Sequence, residues 1–477
     1  MNHNSSDSEK KNFLFFLNKV HPPSIEDPVI GALTRPARWS SLAGLLQKAR
    51  RTSSFVSSIK KLQLYVHVPF CERLCKFCHC ARGLLKSKRD LDLYIHAVAR
   101  QMERQSKACE GMDASHICFG GGTPSLLDEK QITFLLDAAD AAYPVQRRKI
   151  FFETHPSSWT RSKLDLLLDR GLYRLSMGVE SLEACVLKQV ARSQTRQKVL
   201  SSLYVARAAG VPYVNVDLMS GLPGQSIQGL LEDIKKVVQE GANIVHVHPF
   251  SSLPVNELCG PQETFVDFFK RRSDMMHEAA KVLKASGFKR KGLGAYALNQ
   301  AGEDHQEEAY TRLESAVLGF GAYSIGQFPG ALFYRTKPSG QDNGFNSLEA
   351  CPQDLSFVMA RYAIMAIITD GLDEKVFLNR FGVSLKQACK GGLNYLKSLG
   401  LVGSFKGVWK FSASWEIEHL REYIALSRVL YGEDFLLKLQ KRYAKQYNPG
   451  TDYRKGKTLL HSFSNHWLMA LYYQMGV

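Results

Sequence analysis

Six short β-rich runs alternate with helical segments through the middle of this 477-residue chain. Strands that are separated by helical patterns favour parallel pairing through βαβ units. The sequence therefore predicts an α/β fold with a largely parallel sheet. The runs lie at residues 62–68, 115–119, 149–155, 173–179, 213–219 and 243–250.

Polar side chains occur near the C-terminal ends of several of these runs, although strands buried on both faces should be apolar throughout. Barrel enzymes place their chemistry at that end of parallel strands. Asp217 follows a hydrophobic run, where a charge is costly unless it is paired or solvated. The pattern predicts a functional site at this end of the sheet. The polar residues are Glu153, His155, Glu180, Asp217, His246 and His248.

Four cysteines lie within ten residues in the segment YVHVPFCERLCKFCHC: Cys71, Cys75, Cys78 and Cys80. The first three have the spacing C-x3-C-x2-C. Three thiolates on one loop can ligate three irons of a 4Fe-4S cluster and leave the fourth iron open to a substrate, whereas electron carriers ligate that iron with another cysteine. The spacing indicates that Cys71, Cys75 and Cys78 are metal ligands.

Zinc and disulfides are the alternatives for this loop. Zinc prefers closed tetrahedral sites built from two separated Cys/His pairs, and no matching second pair follows in the sequence. The apolar run at residues 13–17 is too short for a secretory signal, so we expect a cytoplasmic protein with reduced thiols. The remaining six cysteines show no ligand spacing and are expected to pack.

The organisation along the chain predicts four parts. Residues 1–60 form a basic N-terminal arm with one or two helices, and residues 61–340 form the α/β unit. Residues 353–425 contain helices followed by the predicted hairpin LVGSFKGVWKFSA, which is a winged-helix-like order. Residues 426–477 have no assigned role. No apolar stretch approaches the ~20 residues that span a bilayer, so membrane insertion is not expected.

The motifs, taken together, resemble those of the radical S-adenosylmethionine (SAM) superfamily over residues 62–425. Within it, the C-x-C that adds Cys80 resembles oxygen-independent coproporphyrinogen III oxidase. The segments that carry the resemblance, after YVHVPFC, are CFGGGTPSLL, FETHP, RLSMGVES and NVDLMSGLPGQS.

This resemblance implies a partial (β/α)6 barrel with a mostly helical C-terminal lid. It also implies a 4Fe-4S cluster, two SAM molecules, a tetrapyrrole substrate and a reduced donor such as a flavodoxin or ferredoxin. An electron from the cluster would cleave SAM to a 5′-deoxyadenosyl radical. The net charge of +17 suits a polycarboxylate substrate. Nucleic acid is another anion, but the lid interpretation explains the winged-helix pattern without it.

The resemblance also assigns roles to single residues. Cys80 is expected near the second cofactor and substrate, as a catalytic residue, and Arg192 at a SAM carboxylate. The alternatives are ordinary ones: core packing for the aromatic side chains and Cys80, a plain turn for the glycines, and a surface position for the arginine. The residues expected to contact SAM are Tyr65, Phe77, Gly121, Gly122, Thr123, Glu153, Glu180, Arg192, Asp217, Ser251 and Ile325.

The chain departs from the oxidase pattern at Glu180, where the oxidase has a neutral glutamine, and in segments expected to face the substrate. Three functions therefore stay open. The first is oxidative decarboxylation of coproporphyrinogen III. The second is a related class C methyltransferase or cyclopropanase, and the third is a haem-binding or carrier protein without turnover.

Overall fold

The computed structural model describes residues 35–411 except 79, 251–264, 292–293, 299–312, 340–343, 353–354, 369–370, 390–391 and 399–401. The described helices are α1 (Trp39–Thr52), α2 (Ser54–Ser58), α3 (Lys88–Ser106), α4 (Glu129–Ala142), α5 (Arg161–Asp169), α6 (Ala184–Gln189), α7 (Arg196–Ala208), α8 (Ile227–Gln239), α9 (Phe265–Ala285), α10 (Leu355–Ile368), α11 (Glu374–Phe381), α12 (Leu385–Cys389) and α13 (Gly392–Ser398). The described strands are β1 (Arg35–Arg38), β2 (Lys61–Val68), β3 (Phe70–Cys71), β4 (Gly83–Leu84), β5 (Asp113–Gly121), β6 (Lys149–Thr154), β7 (Leu172–Glu180), β8 (Tyr213–Ser220), β9 (Ile244–Pro249), β10 (Phe288–Arg290), β11 (Ala295–Leu298), β12 (Ser315–Phe320), β13 (Ile325–Phe328), β14 (Leu332–Ser339), β15 (Gly344–Pro352), β16 (Leu372–Asp373), β17 (Val402–Phe405) and β18 (Val408–Phe411).

One large sheet has the strand order β1-β15-β14-β13-β12-β2-β5-β6-β7-β8-β9-β11-β10. Strands β2, β5, β6, β7, β8 and β9 pair in parallel in chain order. They are the six runs predicted from the sequence, so the α/β fold with a partial barrel is confirmed. Among the described strands, β1 and β10 are the two edges and do not pair with each other, so the sheet is open.

Helices pack their apolar faces against the parallel strands. On α3 the buried positions follow helical spacing, with Leu91, Ile95, Val98 and Met102 on one face. On β2 the burial pattern alternates at first and then becomes continuous toward its C-terminal end. The main hydrophobic core lies between these elements.

Side-chain caps fix where three helices begin after the C-terminal ends of the strands. Asp128 caps α4 in a reciprocal capping box with Gln131. Thr195 caps α7 and Ser226 caps α8. Because the caps set the helix starts, they also set the length of each loop at the barrel mouth.

Strands β10 to β15, which extend the sheet beyond the six predicted strands, have no counterpart in the sequence prediction. Strand β12 pairs in parallel with β2, and the other pairings among these strands are antiparallel. On one side β13, β14 and β15 follow β12, and β1 pairs with β15. The first described helix packs there, with the Trp39 and Tyr334 rings 5.5 Å apart.

The segment after residue 354 has the predicted winged-helix-like order, with α10, β16, α11 to α13 and the β17–β18 hairpin. It contacts both the N-terminal arm and the α/β unit directly. The Phe55 and Phe381 rings stack at 5.2 Å, and Arg361 donates a hydrogen bond of 2.7 Å to Gln327. The lid role of this segment stays a prediction.

None of the helices that the structure describes combines the length and the apolar character needed to cross a bilayer. Three predictions concern residues outside the described part of the chain. They are the first half of the N-terminal arm, the role of residues 426–477, and the SAM contact at Ser251.

Candidate functional site

The cysteine loop follows β2 and is held against the barrel mouth on two sides. Strands β3 and β4 pair across its base, and the backbone N–H of Leu85 donates to the carbonyl of Cys71 at 3.0 Å. Opposite, the N–H of Lys76 donates to the carbonyl of Val190 at 3.0 Å. These backbone bonds fix the loop independently of any metal.

The three predicted ligands lie in one cavity at the C-terminal ends of the parallel strands. Burial raises the pKa of Cys71 to about 11. Burial also raises the pKa of Cys75, although the nearby Arg192 guanidinium opposes this shift. The hydrogen bond from Cys80 lowers the pKa of Cys78 to about 6. The thiolate is the form that ligates iron. Without a metal, the surroundings favour it at Cys78 and disfavour it at Cys71 and Cys75.

Arg82 braces the loop, since its guanidinium donates to the carbonyls of Cys75 and Cys80 at 3.2 Å each.

The loop suits a 4Fe-4S cluster better than one zinc ion. Within the described part of the chain, the three ligand thiols are not grouped within 4.8 Å of one another, as ligands of one ion would be. A cluster attaches each thiolate to a different iron and therefore needs the wider spacing.

Arg192 connects the cysteine loop to β7. Its Nη1 donates to Cys75 Sγ at 3.7 Å, and its Nη2 donates to the carbonyl of Gly178 and lies 3.5 Å from Glu180 Oε1. A Cβ at position 178 would lie 3.0 Å from both Arg192 Nη2 and Glu180 Oε1, so a larger residue there would press on both side chains. The guanidinium is therefore held in place, with Glu180 as its ionic partner.

Glu180 ends β7 in a left-handed backbone conformation, with φ of 64°. The pairing of β7 with β8 shifts register between Gly178 and Glu180. Burial raises the pKa of Glu180 to about 7. Left-handed conformations are costly for residues other than glycine and cluster at functional sites, which fits a side chain turned into the cavity.

The GGGTP turn after β5 packs against Glu153 of β6. The N–H of Gly121 donates to Glu153 Oε2 at 3.1 Å, and a Cβ at Gly120 would lie only 2.7 Å from Glu153 Oε1. Burial raises the pKa of Glu153 to about 7, and the charge of Asp217 adds to the shift. The glycines therefore let the carboxylate sit directly against the backbone.

Tyr65 contacts the site indirectly, through His67. The Nε2 of His67 lies 2.9 Å from the carbonyl of Ala81 and must donate to it, so Nδ1 accepts from the Tyr65 hydroxyl at 3.0 Å. Burial lowers the pKa of His67 to about 4, which keeps the ring neutral. Its ring lies behind Gly121, where a Cβ would approach it to 2.6 Å.

Asp217 lies among hydrogen-bond donors from β8 and β9. Asn215 donates to its Oδ1 at 2.8 Å, and His248 Nε2 and His246 Nδ1 lie 3.5 and 3.6 Å from the same oxygen. Burial alone would raise the pKa of Asp217, but the hydrogen bond and charge of His248 lower it to about 2. The carboxylate is ionised, and Oδ2 is the oxygen that these contacts leave for a ligand.

Asp217, His246 and His248 are also the described residues best placed to hold a single metal ion, because their ligand atoms all lie within 4.8 Å of one another. Asn215 already donates to the carboxylate oxygen that such an ion would use. We therefore interpret the group as a hydrogen-bonded carboxylate.

Most of the site residues predicted from the sequence meet in this one cavity. Tyr65 lies behind it, and Ile325 lies on β13, outside the described cavity wall. Cys80 is exposed, with its thiol next to Cys78. The predicted residues that line the cavity are Cys71, Cys75, Phe77, Cys78, Cys80, Gly121, Gly122, Thr123, Glu153, Glu180, Arg192 and Asp217.

Other residues also line the cavity, among them Arg82, His155 and Ser176, which were not predicted to bind the cofactors. Ser176 is 4% exposed, and its Oγ has no hydrogen-bond partner among the described residues. Its sequence signal is a hydroxyl within the apolar run YRLSMGV. The signal for Arg82 is its place directly after the cysteine loop. A buried polar atom left unpaired in a cavity indicates that a polar ligand completes the site.

Comparison with known proteins agrees with this geometry. The sequence model of the radical SAM superfamily matches residues 65–237, which hold the cysteine loop and every cavity residue named above. Residues 65–237 are a radical SAM domain. The 4Fe-4S cluster and SAM are the cofactors of this superfamily.

The chain is similar to two groups of curated proteins. The haem chaperone HemW of Escherichia coli is 25% identical over 64% of this chain and 83% of its own length. The oxygen-independent coproporphyrinogen III oxidase of Paracoccus denitrificans is 27% identical over 56% of this chain and 62% of its length, and that of E. coli is 28% identical over 50% and 53%. The alignments span little more than half of these oxidases.

The fold extends beyond the radical SAM domain. The structure of coproporphyrinogen III oxidase (HemN) from E. coli superimposes with a TM-score of 0.67, at 22% identity, over 78% of this chain and 92% of that one. The two chains therefore share a fold, including the region that follows the radical SAM domain.

Proposed function

We propose that this protein is a radical SAM enzyme that converts two propionates of coproporphyrinogen III to vinyl groups, giving protoporphyrinogen IX. The observation that carries the proposal is one cavity that combines a three-cysteine loop, a fourth cysteine and a charged ligand-binding wall. The names of the similar oxidases support this choice of substrate.

The charged groups of the cavity match the parts of SAM. The Arg192 guanidinium suits a carboxylate, and Glu153 suits an ammonium or a ribose hydroxyl. The free oxygen of Asp217 can accept from a hydroxyl, and Ser176 Oγ can pair with a further polar atom. These residues would hold SAM beside Cys71, Cys75 and Cys78, which would hold the cluster.

Bound there, the cluster and SAM supply the one-electron chemistry that removes a hydrogen atom from the substrate. Each propionate loses one hydrogen atom from its β-carbon and then carbon dioxide, and the electron left over passes to an external acceptor. The chain's own contribution is to orient the reactants through the held carboxylates and guanidinium, and to keep water away from them. Cys80, exposed on the cavity side, is placed to touch the reactants.

The test uses anaerobically reconstituted protein with SAM, dithionite and coproporphyrinogen III. Protoporphyrinogen IX and 5′-deoxyadenosine should form together. Formation of S-adenosylhomocysteine or methylthioadenosine without protoporphyrinogen would instead favour the methyltransferase or cyclopropanase. If cluster-loaded protein forms no 5′-deoxyadenosine, both the oxidase and the methyltransferase or cyclopropanase functions are ruled out.

A haem-binding function is the second candidate, because the similarity to the haem chaperone HemW covers 83% of that protein. Under this alternative, the protein should bind haem at equimolar ratio and release it to a recipient without consuming SAM. Absorption spectra of the reconstituted protein titrated with haem distinguish this function from catalysis.

A further inference from the structure

A strongly basic cleft lies on the outer side of the cysteine loop, next to the cofactor cavity. Arg73, Lys188, Arg192 and Lys198 line it, and its volume is about 580 Å³. No carboxylate belongs to its lining among the residues that the structure describes. We propose that this basic cleft is the docking site for an acidic one-electron carrier protein that reduces the cluster. This inference rests on the proposed radical SAM function.

The basic cleft and the cluster loop are in direct contact. Arg192 lines both the cleft and the cavity, and its Nη1 lies 3.7 Å from Cys75 Sγ. The backbone bond from Lys76 to Val190 ties the loop to the end of α6, which forms the floor of the cleft. A redox group seated in the cleft would therefore approach the cluster from the side of Cys75, by a short path.

The charges are arranged for a protein surface rather than for one small anion. They come from three separate segments, namely the cysteine loop, the end of α6 and the first turn of α7. Lys76 and Arg196 are exposed beside them, against the exposed acid Glu72 on the loop. The positive end of the α7 dipole adds to the same field. Spread charges of one sign raise association rates by steering an oppositely charged partner.

The expected contact is weak and transient. Complexes of electron-transfer proteins bury little surface, typically below about 1,200 Å². A small, open and highly charged cleft matches such an encounter, since a carrier that must leave after each electron gains more from fast association than from tight binding. Because association of the carrier depends on charge, the inference can be tested by changing the ionic strength and by reversing charges in the cleft.

The experiment compares two reductants on reconstituted protein. The variant K188E/K198E reverses two exposed cleft charges that lie outside the cofactor cavity. The readout is the rate at which the cluster absorbance bleaches, either with a limiting reduced flavodoxin, which is an acidic flavoprotein, or with dithionite. We expect the flavodoxin rate to fall at least about tenfold and the dithionite rate to stay within about twofold of wild type. Added salt should slow the wild-type flavodoxin reaction far more than that of the variant.

The matched control is K48E/R51E, which reverses two exposed charges on α1. It should leave both rates unchanged. Equal flavodoxin rates in K188E/K198E and wild type would overturn the docking site, and so would an equal loss with dithionite, because that places the defect in the cluster. Bleaching requires no porphyrinogen turnover, so failure of the proposed substrate leaves this result independent.

Discussion

Two parts of the same sheet differ in what they bury. At the mouth of β5 to β9, which we call the cofactor wall, the buried residues include Ser176, Asn215 and His246. The opposite flank comprises β12 to β15 with β1, which pair antiparallel with one another, and we call it the antiparallel edge. Its first strand, β12, joins β2 in parallel and is buried along its whole length. Both regions bury polar side chains, but on the antiparallel edge Gln327 and Thr336 have hydrogen-bond partners, whereas Ser176 Oγ and Asn215 Oδ1 have none among the described residues. An unpaired buried polar atom is costly, which indicates that a ligand completes the cofactor wall.

The difference follows from strand direction. Parallel neighbours bring all their C-terminal ends to one rim, so Glu153, Glu180 and Asp217 converge although they are far apart in sequence. On the antiparallel edge, successive strand ends alternate between opposite rims, and no such convergence arises. Substitutions in the two regions should therefore separate into effects on cofactor binding and effects on folding alone.

The largest expected effect is at the cysteine loop, where C78S and C80S should differ in kind. If Cys78 is an iron ligand as proposed, C78S should lose most of its cluster iron and all 5′-deoxyadenosine formation. C80S should keep the cluster absorbance and iron content but lose porphyrinogen turnover by roughly 10²-fold or more. Iron analysis and product assays check both. Loss of the cluster from C80S would instead show that Cys80 is itself an iron ligand.

The next largest effect is expected at Arg192, whose fork contacts both the loop and β7. We expect R192K to bind SAM about 10- to 100-fold more weakly, since lysine cannot make the paired charge-assisted bonds. Calorimetry on cluster-loaded protein measures this affinity. The exposed Arg196 provides the matched control, because R196K should leave SAM binding unchanged. An unaltered affinity in R192K would remove Arg192 from the SAM site.

The third prediction concerns pH. Because burial raises the pKa of Glu153 to about 7, its carboxylate is largely protonated below that pH and cannot accept from a SAM ammonium or hydroxyl as an anion. SAM affinity should therefore fall as pH drops from 8 to 6, by up to about tenfold for one such group. Asp217, with a pKa of about 2, stays ionised throughout.

Glu180 titrates in the same range, so the pH experiment is done in the E180Q background. There, E153Q should flatten the remaining dependence of SAM affinity on pH. Arg174 and His248 also face Glu153 and oppose its shift, and both are unchanged in the comparison. A dependence that persists in E180Q/E153Q would assign it to another group.

Much of this arrangement could be predicted from the sequence, because it depends on residues that lie close together along the chain. Cys71, Cys75 and Cys78 share one loop, and the parallel strands are recognisable from their hydrophobicity and from the polar residues at their ends. The packing of His67 behind Gly121 and the lack of a partner for the Ser176 hydroxyl both depend on contacts between strands. The hydrophobic periodicity of a sequence does not encode such contacts. The antiparallel edge was missed because β13 has only four residues and because β14 and β15 carry charged residues, such as Arg335 and Glu349, within their runs.

A smaller effect is expected from E180Q, which restores the amide of the oxidase pattern. Glu180 lies 3.5 Å from Arg192 and competes with a SAM carboxylate for it. Removing that charge should tighten SAM binding about three- to fivefold, a modest gain because the two charged groups are 3.5 Å apart rather than in a short ion pair. Calorimetry at pH 8, where Glu180 is ionised, measures the change. Weaker binding would instead mean that the Glu180 carboxylate contacts SAM itself.

The smallest effect on the cofactor is expected at Ile325, which the family resemblance places at SAM but which lies on β13 of the antiparallel edge. It is half-buried, so I325A should cost about 1–2 kcal/mol of unfolding free energy, measured by denaturant titration, and leave SAM affinity within about twofold. A larger loss of affinity with intact cluster iron would extend the cofactor wall across β2 and β12. The contrast between the two regions would then depend on a second SAM molecule reaching the edge, and strand direction alone would no longer explain it.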